Sequence, residues 1–219
     1  STKLTITGAI EEALTSLHIN SSIVGSGRTD AGVHATGQVI HFELPEYWRD
    51  MAKLKDTLNR KLTDIFFKHI TPVESDFHAR FSAKKRVYRY IFKTQRPSVF
   101  EQKYMSHYQT FDPELLTKAL KRFEGKHNFN FFHKTGSVTH TTVREIYRAE
   151  YLERNGYHFI YFQANGFLRS QVRMLVDAAM LCAHNEMSIT QLQEQLACQK
   201  KYTNRLAPAE GLYLARIIY

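Results

Sequence analysis

The sequence predicts an α+β fold, mostly antiparallel sheet covered by helices, in one large domain or two small lobes. Three observations predict it. The elements read in the order helix, strands, helix, strands, helix, strands, helix, helix, strand. Residues 141–166 read as a long hairpin with Asn155-Gly156 at its turn, and hairpins make antiparallel pairs. No low-complexity tract or flexible linker interrupts the 219 residues, so the lobes are expected to share a continuous sheet or a tight interface.

Near the start, "LTITGAIEEALTSLH" spaces Ile6, Ala9, Ile10, Ala13, Leu14 and Leu17 as one helical face, with Glu11 and Glu12 on the wet side. "SSIVGSGR" and "ATGQVIHFEL" read as strands on either side of the GRTDAGVH loop. A second amphipathic helix follows, with Met51, Leu54, Leu58 and Leu62 in one stripe. "DIFFKHITPV" and "KRVYRYIFKT" read as strands; in the second, Tyr88, Tyr90 and Phe92 face one way and Val87, Arg89 and Ile91 the other. Asp112 is the expected N-cap of the next helix, with Pro113 at its first position and Gly125 as its stop. After the hairpin, "FLRSQVRMLVDAAMLCAH" reads as a long helix with little polar face. Ser188 and Gln191 open a shorter one with a capping-box pattern, and "GLYLARIIY" closes the chain as a strand.

Composition narrows the function class. Hydrophobic residues make up 43%, ordinary for a packed globular chain. No apolar run approaches the length of a membrane span, so an integral membrane protein is not expected. No secretory signal pattern is visible, although the chain opens on Ser1 rather than Met. Cys182 and Cys198 lie in no CxxC pair and at no metal spacing, which points to free thiols in a reducing, cytoplasmic setting. The net charge of +9 and a pI near 9.5 fit a polyanionic partner such as nucleic acid. Among 12 Tyr and 15 Phe, most rings belong to the core, but aromatic faces beside cations also suit unstacked bases.

The chemistry concentrates in "GRTDAGVH", residues 27–34. An aspartate between glycines ordinarily forms a turn through its own side chain. Three features set Asp30 apart from that reading. Gly27 and Gly32 free the backbone to expose it. Arg28, two residues earlier on extended chain, points to the same side. Arg169 and Arg173, four apart, fall on one face of an otherwise apolar helix, where an arginine needs a partner. A guanidinium against Asp30 would favour the ionised carboxylate that a nucleophile requires.

At these residues the chain resembles a family. "GSGRTDAGVHATGQVIHF", "HARFSAKKRVYRYIF", "TVREIY", "NGFLRSQVRMLV" and "AEGLYL" are similar, in that order, to the motifs of TruA-type tRNA pseudouridine synthases. The resemblance implies that Asp30 is the catalytic aspartate and that Arg173 pairs with it. It implies that Tyr88 stacks on the target uracil and joins the closing proton transfer, and that Leu212 packs against the base. It implies that Arg28 helps displace the target nucleotide and fills its place. His34 and Gln38 match the signature too; hydrogen bonding within the loop is their plainer reading, and His34 stays with Arg169 among the substrate-binding candidates. Family members also carry an earlier strand with a Tyr-Asp-Gly-like turn, which is expected to be missing from this chain, since it opens near the following helix.

By the same resemblance, the fold is two α+β lobes meeting in a basic cleft, 1–79 with the Asp30 loop and 80–219 with the stacking Tyr88 and the Arg-bearing helix. It also implies that the enzyme is a homodimer and uses no cofactor and no metal. The implied reaction isomerises uridine to pseudouridine in tRNA, on the 3′ side of the anticodon arm. Whether Asp30 acts on the sugar or on the ring stays open. Three alternatives stand beside it: a non-catalytic RNA-binding module of the same fold, a base-releasing hydrolase using Asp30 as general base, and a purely structural basic protein.

Overall fold

The structure, a computed structural model, describes residues 5–136 and 139–219. The expected lack of a strand ahead of the first helix falls on residues outside those described. In chain order the elements begin with α1 (Ile6–Thr15), β1 (Val24–Gly25), β2 (His34–Ala35), β3 (Ile40–His41) and α2 (Met51–Lys61). They continue with β4 (Lys85–Lys93), β5 (Ser106–His107), α3 (Pro113–Arg122), β6 (Gly125–Asn128), β7 (Val143–Arg154) and β8 (Tyr157–Ala164). The chain ends with α4 (Gln171–Ala183), α5 (Ile189–Leu196), a 3-10 turn (Ala209–Gly211) and β9 (Leu212–Ile218).

Contacts divide the chain into two units, one of residues 1–27 and 39–83, the other of 28–38 and 84–219. The sequence reading gave the GRTDAGVH loop to an N-terminal lobe ending at 79. In the structure residues 28–38 belong with the second unit instead, because β2 pairs in parallel with β9, His34 opposite Tyr213 and Ala35 opposite Leu214.

In the first unit α1 and α2 are capped as their sequences direct: the Thr5 hydroxyl accepts from Gly8 N, and the Asp50 carboxylate from Lys53 N. Ile10, Ala13, Leu14, Leu54 and Leu58 turn inward and form a small core with Ile19. β1 and β3 are a two-residue antiparallel pair, much shorter than the strands expected on either side of the loop. "DIFFKHITPV", expected as a strand, is not one. Its backbone is held by a side chain instead: Asn59 Nδ2 donates to Phe67 O (3.0 Å) and accepts from Phe67 N through Oδ1 (2.7 Å). Ile65, Phe67 and Ile70 still pack on the core, so the apolar pattern reported burial correctly and the backbone state wrongly.

The second unit is built on a seven-stranded sheet of order β2-β9-β4-β8-β7-β6, with β5 beside the far end of β4. All pairs are antiparallel except β2 with β9 and β4 with β5. The β7–β8 hairpin turns at Asn155-Gly156, both with positive φ, as the dipeptide predicts. Tyr90 and Phe92 of β4 are fully buried, with Ile160 and Phe162 of β8, against α3 and α4. Eleven of the thirteen residues of α4 are buried, which is why it reads as a helix without a polar face. Its start, however, is Gln171 rather than Phe167. Leu168 and Gln171 close a turn of their own, Leu168 N donating to Gln171 Oε1 (2.7 Å) and Gln171 N to Leu168 O (3.1 Å). Arg169 is thereby left outside the helix.

Candidate active site

The loop carrying Asp30 is fixed at both ends of its turn. Val33 N donates to Asp30 O (3.1 Å), and Gly32 at φ +79° makes the turn in a region that suits glycine. Beyond β2, Thr36 N and Gly37 N both donate to Leu214 O, tying the loop to β9. Asp30 is thus held on the sheet edge with its side chain about 30% exposed.

Two donors converge on one oxygen of that carboxylate. Ser170 Oγ donates to Asp30 Oδ2 at 2.8 Å, and Arg173 Nη1 donates to the same oxygen at 3.3 Å. Arg173 is in the first turn of α4, with its side chain 15% exposed. Its other arm is anchored by backbone, Nε donating to Ala207 O at 2.7 Å. The start of α4 adds the partial positive charge of a helix N-terminus, which favours an anion at that position.

Tyr88 sits on β4, where its pairing with β9 shifts register between Val87 and Tyr88. Such irregularities re-aim a side chain out of the regular pleat. Its ring meets Phe167 edge-on, centroids 5.2 Å apart at 86°. Burial pushes the phenol up to about 12, an effect that Arg86 opposes and the charge of Asp30 reinforces. Tyr88 is therefore a neutral hydroxyl at physiological pH, within electrostatic reach of the Asp30 carboxylate. A carboxylate steadied by a guanidinium and a hydroxyl, near a protonated phenol, can act on an electrophilic carbon and exchange a proton locally.

The remaining sequence-predicted residues fall into different places. Leu212 opens β9 and is 5% exposed, opposite Tyr90 and packed in the main core. Arg28 is exposed and makes no ion pair among the described residues. Arg169 is exposed and turns away from Arg173, its Nη1 donating to Thr135 O at 3.2 Å. The expected shared helical face with Arg173 does not form, because the helix begins after Arg169. His34 stacks on Tyr213 (4.8 Å, 25°), and its Nε2 lies 2.8 Å from Lys103 O, so its ring is engaged in holding the loop. A surface depression of about 680 Å³, lined by His107–Asp112 and Ala183–Glu186, contains none of these residues. Among the described residues, no three His, Cys, Asp or Glu side chains cluster to hold a metal ion. No helix among them is long and apolar enough to cross a membrane.

A sequence profile of the family described as tRNA pseudouridine synthase matches residues 1–82 and 119–219. The chain belongs to the tRNA pseudouridine synthase family. It is similar to proteins named tRNA pseudouridine synthase A over nearly its whole length. The Helicobacter hepaticus protein is 40% identical over 220 residues, covering 98% of this chain and 88% of that protein. The Wolinella succinogenes protein is 37% identical, covering 96% and 84%. A Campylobacter jejuni protein is 38% identical, covering 96% and 88%. The antiparallel sheet flanked by helices is consistent with the fold of this family.

Sequence reasoning missed two groups in the site. Ala207 acts through its backbone carbonyl, and no side-chain pattern could have shown it. The sequence reading runs the helix through Ser170; in the structure Ser170 precedes the helix and its hydroxyl makes no capping bond.

Proposed function

We propose that the protein isomerises uridine to pseudouridine in tRNA, with Asp30 acting on a uridine flipped out of its stack. The observation that carries this reading is the convergence of Ser170 and Arg173 on one oxygen of Asp30, with Tyr88 close enough to sense its charge. The match to the tRNA pseudouridine synthase family supports an isomerase acting on tRNA, and the relatives are named tRNA pseudouridine synthase A.

The reaction breaks the C1′–N1 bond and joins C1′ to C5; C5 gives up a proton and N1 gains one, so no atom is added or lost. Extruding the base costs a few kcal/mol, least where it is already unpaired. Stacking on Tyr88 returns about 1–3 kcal/mol. In this reading Arg28 enters the space the base leaves, and Leu212 backs the pocket from the core side. Arg173 keeps the carboxylate charged and aimed while the detached base turns over. The Tyr88 hydroxyl serves the final proton exchange. The family resemblance supports the anticodon arm as target and a homodimer as the working assembly.

The test is Asp30→Asn on tRNA carrying tritium at uridine C5. Wild-type protein is expected to release tritium and no free uracil, whereas the variant binds tRNA and releases none. Turnover by Asp30→Asn would refute the assignment. Free uracil from the wild type would mark a hydrolase, and binding without tritium release would mark a non-catalytic RNA-binding module.

A further inference from the structure

Four helices among the described residues start alike. Thr5, Asp50, Asp112 and Ser188 have extended backbone, and each side chain accepts a hydrogen bond from the first turn of its helix. That is the normal geometry of an N-cap. Ser170, at the head of α4, departs from it in both respects. Its backbone is left-handed, at φ +57° and ψ +11°, and its side chain makes no capping bond.

Four other non-glycine residues among those described have positive φ: His18, Asn155, Asn185 and Cys198. Each follows a helix or sits in the hairpin turn, where left-handed backbone is ordinary. Among the described residues, Ser170 alone has it at a helix start. A serine held in this region costs free energy, and such outliers persist where the surroundings over-determine them. The surroundings here are Asp30. The strained backbone aims the Ser170 hydroxyl away from the helix and onto Oδ2, from 140 residues away in sequence.

The second observation concerns which oxygen is held. Ser170 Oγ (2.8 Å) and Arg173 Nη1 (3.3 Å) both donate to Oδ2. Oδ1 accepts no hydrogen bond among the described residues. The shorter of the two contacts is the serine's, so Arg173 alone does not set the carboxylate's orientation. We propose that Ser170 is a positioning residue: with Arg173 it saturates Oδ2, fixes the rotation of the carboxylate, and leaves Oδ1 free to meet the nucleotide. The proposal rests on the reading of Asp30 given above. It explains why the head of α4 forgoes a side-chain cap.

Ser170→Gly separates this role from a structural one. Glycine accepts left-handed backbone without strain, which offsets much of the stability lost with the hydrogen bond, so the variant is expected to melt within a few degrees of wild type. It keeps Arg173 and loses the hydroxyl. The expected result is a fall in kcat for pseudouridine formation of about ten- to a hundredfold, the worth of one hydrogen bond to a charged group. KM for tRNA should stay within about twofold, since no substrate contact is removed. A variant with wild-type kcat overturns the proposal. So does a variant whose loss lies in KM or in melting temperature, because that is what a structural role alone would give. Wild type and Asp30→Asn are assayed in parallel. If wild type forms pseudouridine and Asp30→Asn does not, the result for Ser170→Gly judges the serine alone. If wild type forms none, the reading of Asp30 falls, and the proposal with it.

Discussion

Arg173 and Ala207 hold each other twice. Arg173 Nε donates to Ala207 O at 2.7 Å, and Ala207 N returns a bond to Arg173 O at 3.1 Å. The guanidinium therefore reaches Asp30 from a fixed base rather than from the end of a free side chain. The segment behind Ala207 is tied to the same helix one turn on. Thr203 Oγ1 donates to Asp177 Oδ2 (3.1 Å), and Arg205 Nε lies 3.7 Å from Asp177 Oδ1. Orientation of the site is thus built from α4 and the strand-leading segment together.

This geometry needs a planar fork. Lysine carries one charged nitrogen and cannot bond Ala207 and Asp30 from two separate atoms along one rigid plane. Arg173→Lys is expected to keep most tRNA affinity and to lose turnover by about 10²–10³-fold, the usual cost of removing one preorganised electrostatic donor. Single-turnover rates beside filter binding would check it. A lysine variant within a fewfold of wild type would show that charge alone suffices.

Gly37 controls the edge on which the loop is mounted. A Cβ at this position would lie 2.2 Å from Ala215 O and 2.8 Å from Ala215 C, both backbone atoms of β9. Backbone of a paired strand cannot give way as a flexible side chain can, so β2 would have to leave β9. Gly37→Ala is expected to destabilise the protein by the upper end of the overpacking range, about 3 kcal/mol. Urea unfolding would measure it. It should also slow turnover in whatever fraction stays folded, because the Asp30 loop loses its seat.

Much of this was legible in the sequence, and the failures have physical causes. The long elements were readable because burial imposes a period: α2 and α3 show their stripes, and β4 alternates. "DIFFKHITPV" failed because alternating burial does not specify what satisfies the backbone, and Asn59 does that work. β5 and β6 were missed because their short polar sequences, Ser106–His107 and Gly125–Asn128, carry no apolar period. In the site, Asp30 and Arg173 came together as expected, since opposite charges in a mostly buried setting need each other. Arg169 did not join them, because a helix start set by one left-handed serine cannot be read from periodicity.

Tyr88 offers a prediction in which the sign of a titration matters. Burial pushes its phenol up to about 12, and burial does the same to Tyr108, while an exposed phenol titrates near ~10. A folded value above the unfolded one means that the native state holds the proton more tightly. The stability this contributes is fully present below the unfolded value and is lost as pH rises through the folded one. The protein is therefore expected to lose stability between about pH 10 and pH 12, and ultraviolet titration should show a group of phenols ionising late, together with unfolding. Tyr88→Phe should remove one late phenol from that group while keeping the ring that stacks on a base. In assay, the same variant is expected to bind tRNA nearly as well as wild type and to convert it poorly, because the hydroxyl that exchanges the proton is gone. Normal conversion by Tyr88→Phe would make the hydroxyl dispensable and leave Tyr88 a stacking platform alone. An unchanged alkaline titration would mean instead that the phenol is not held from water as its burial requires.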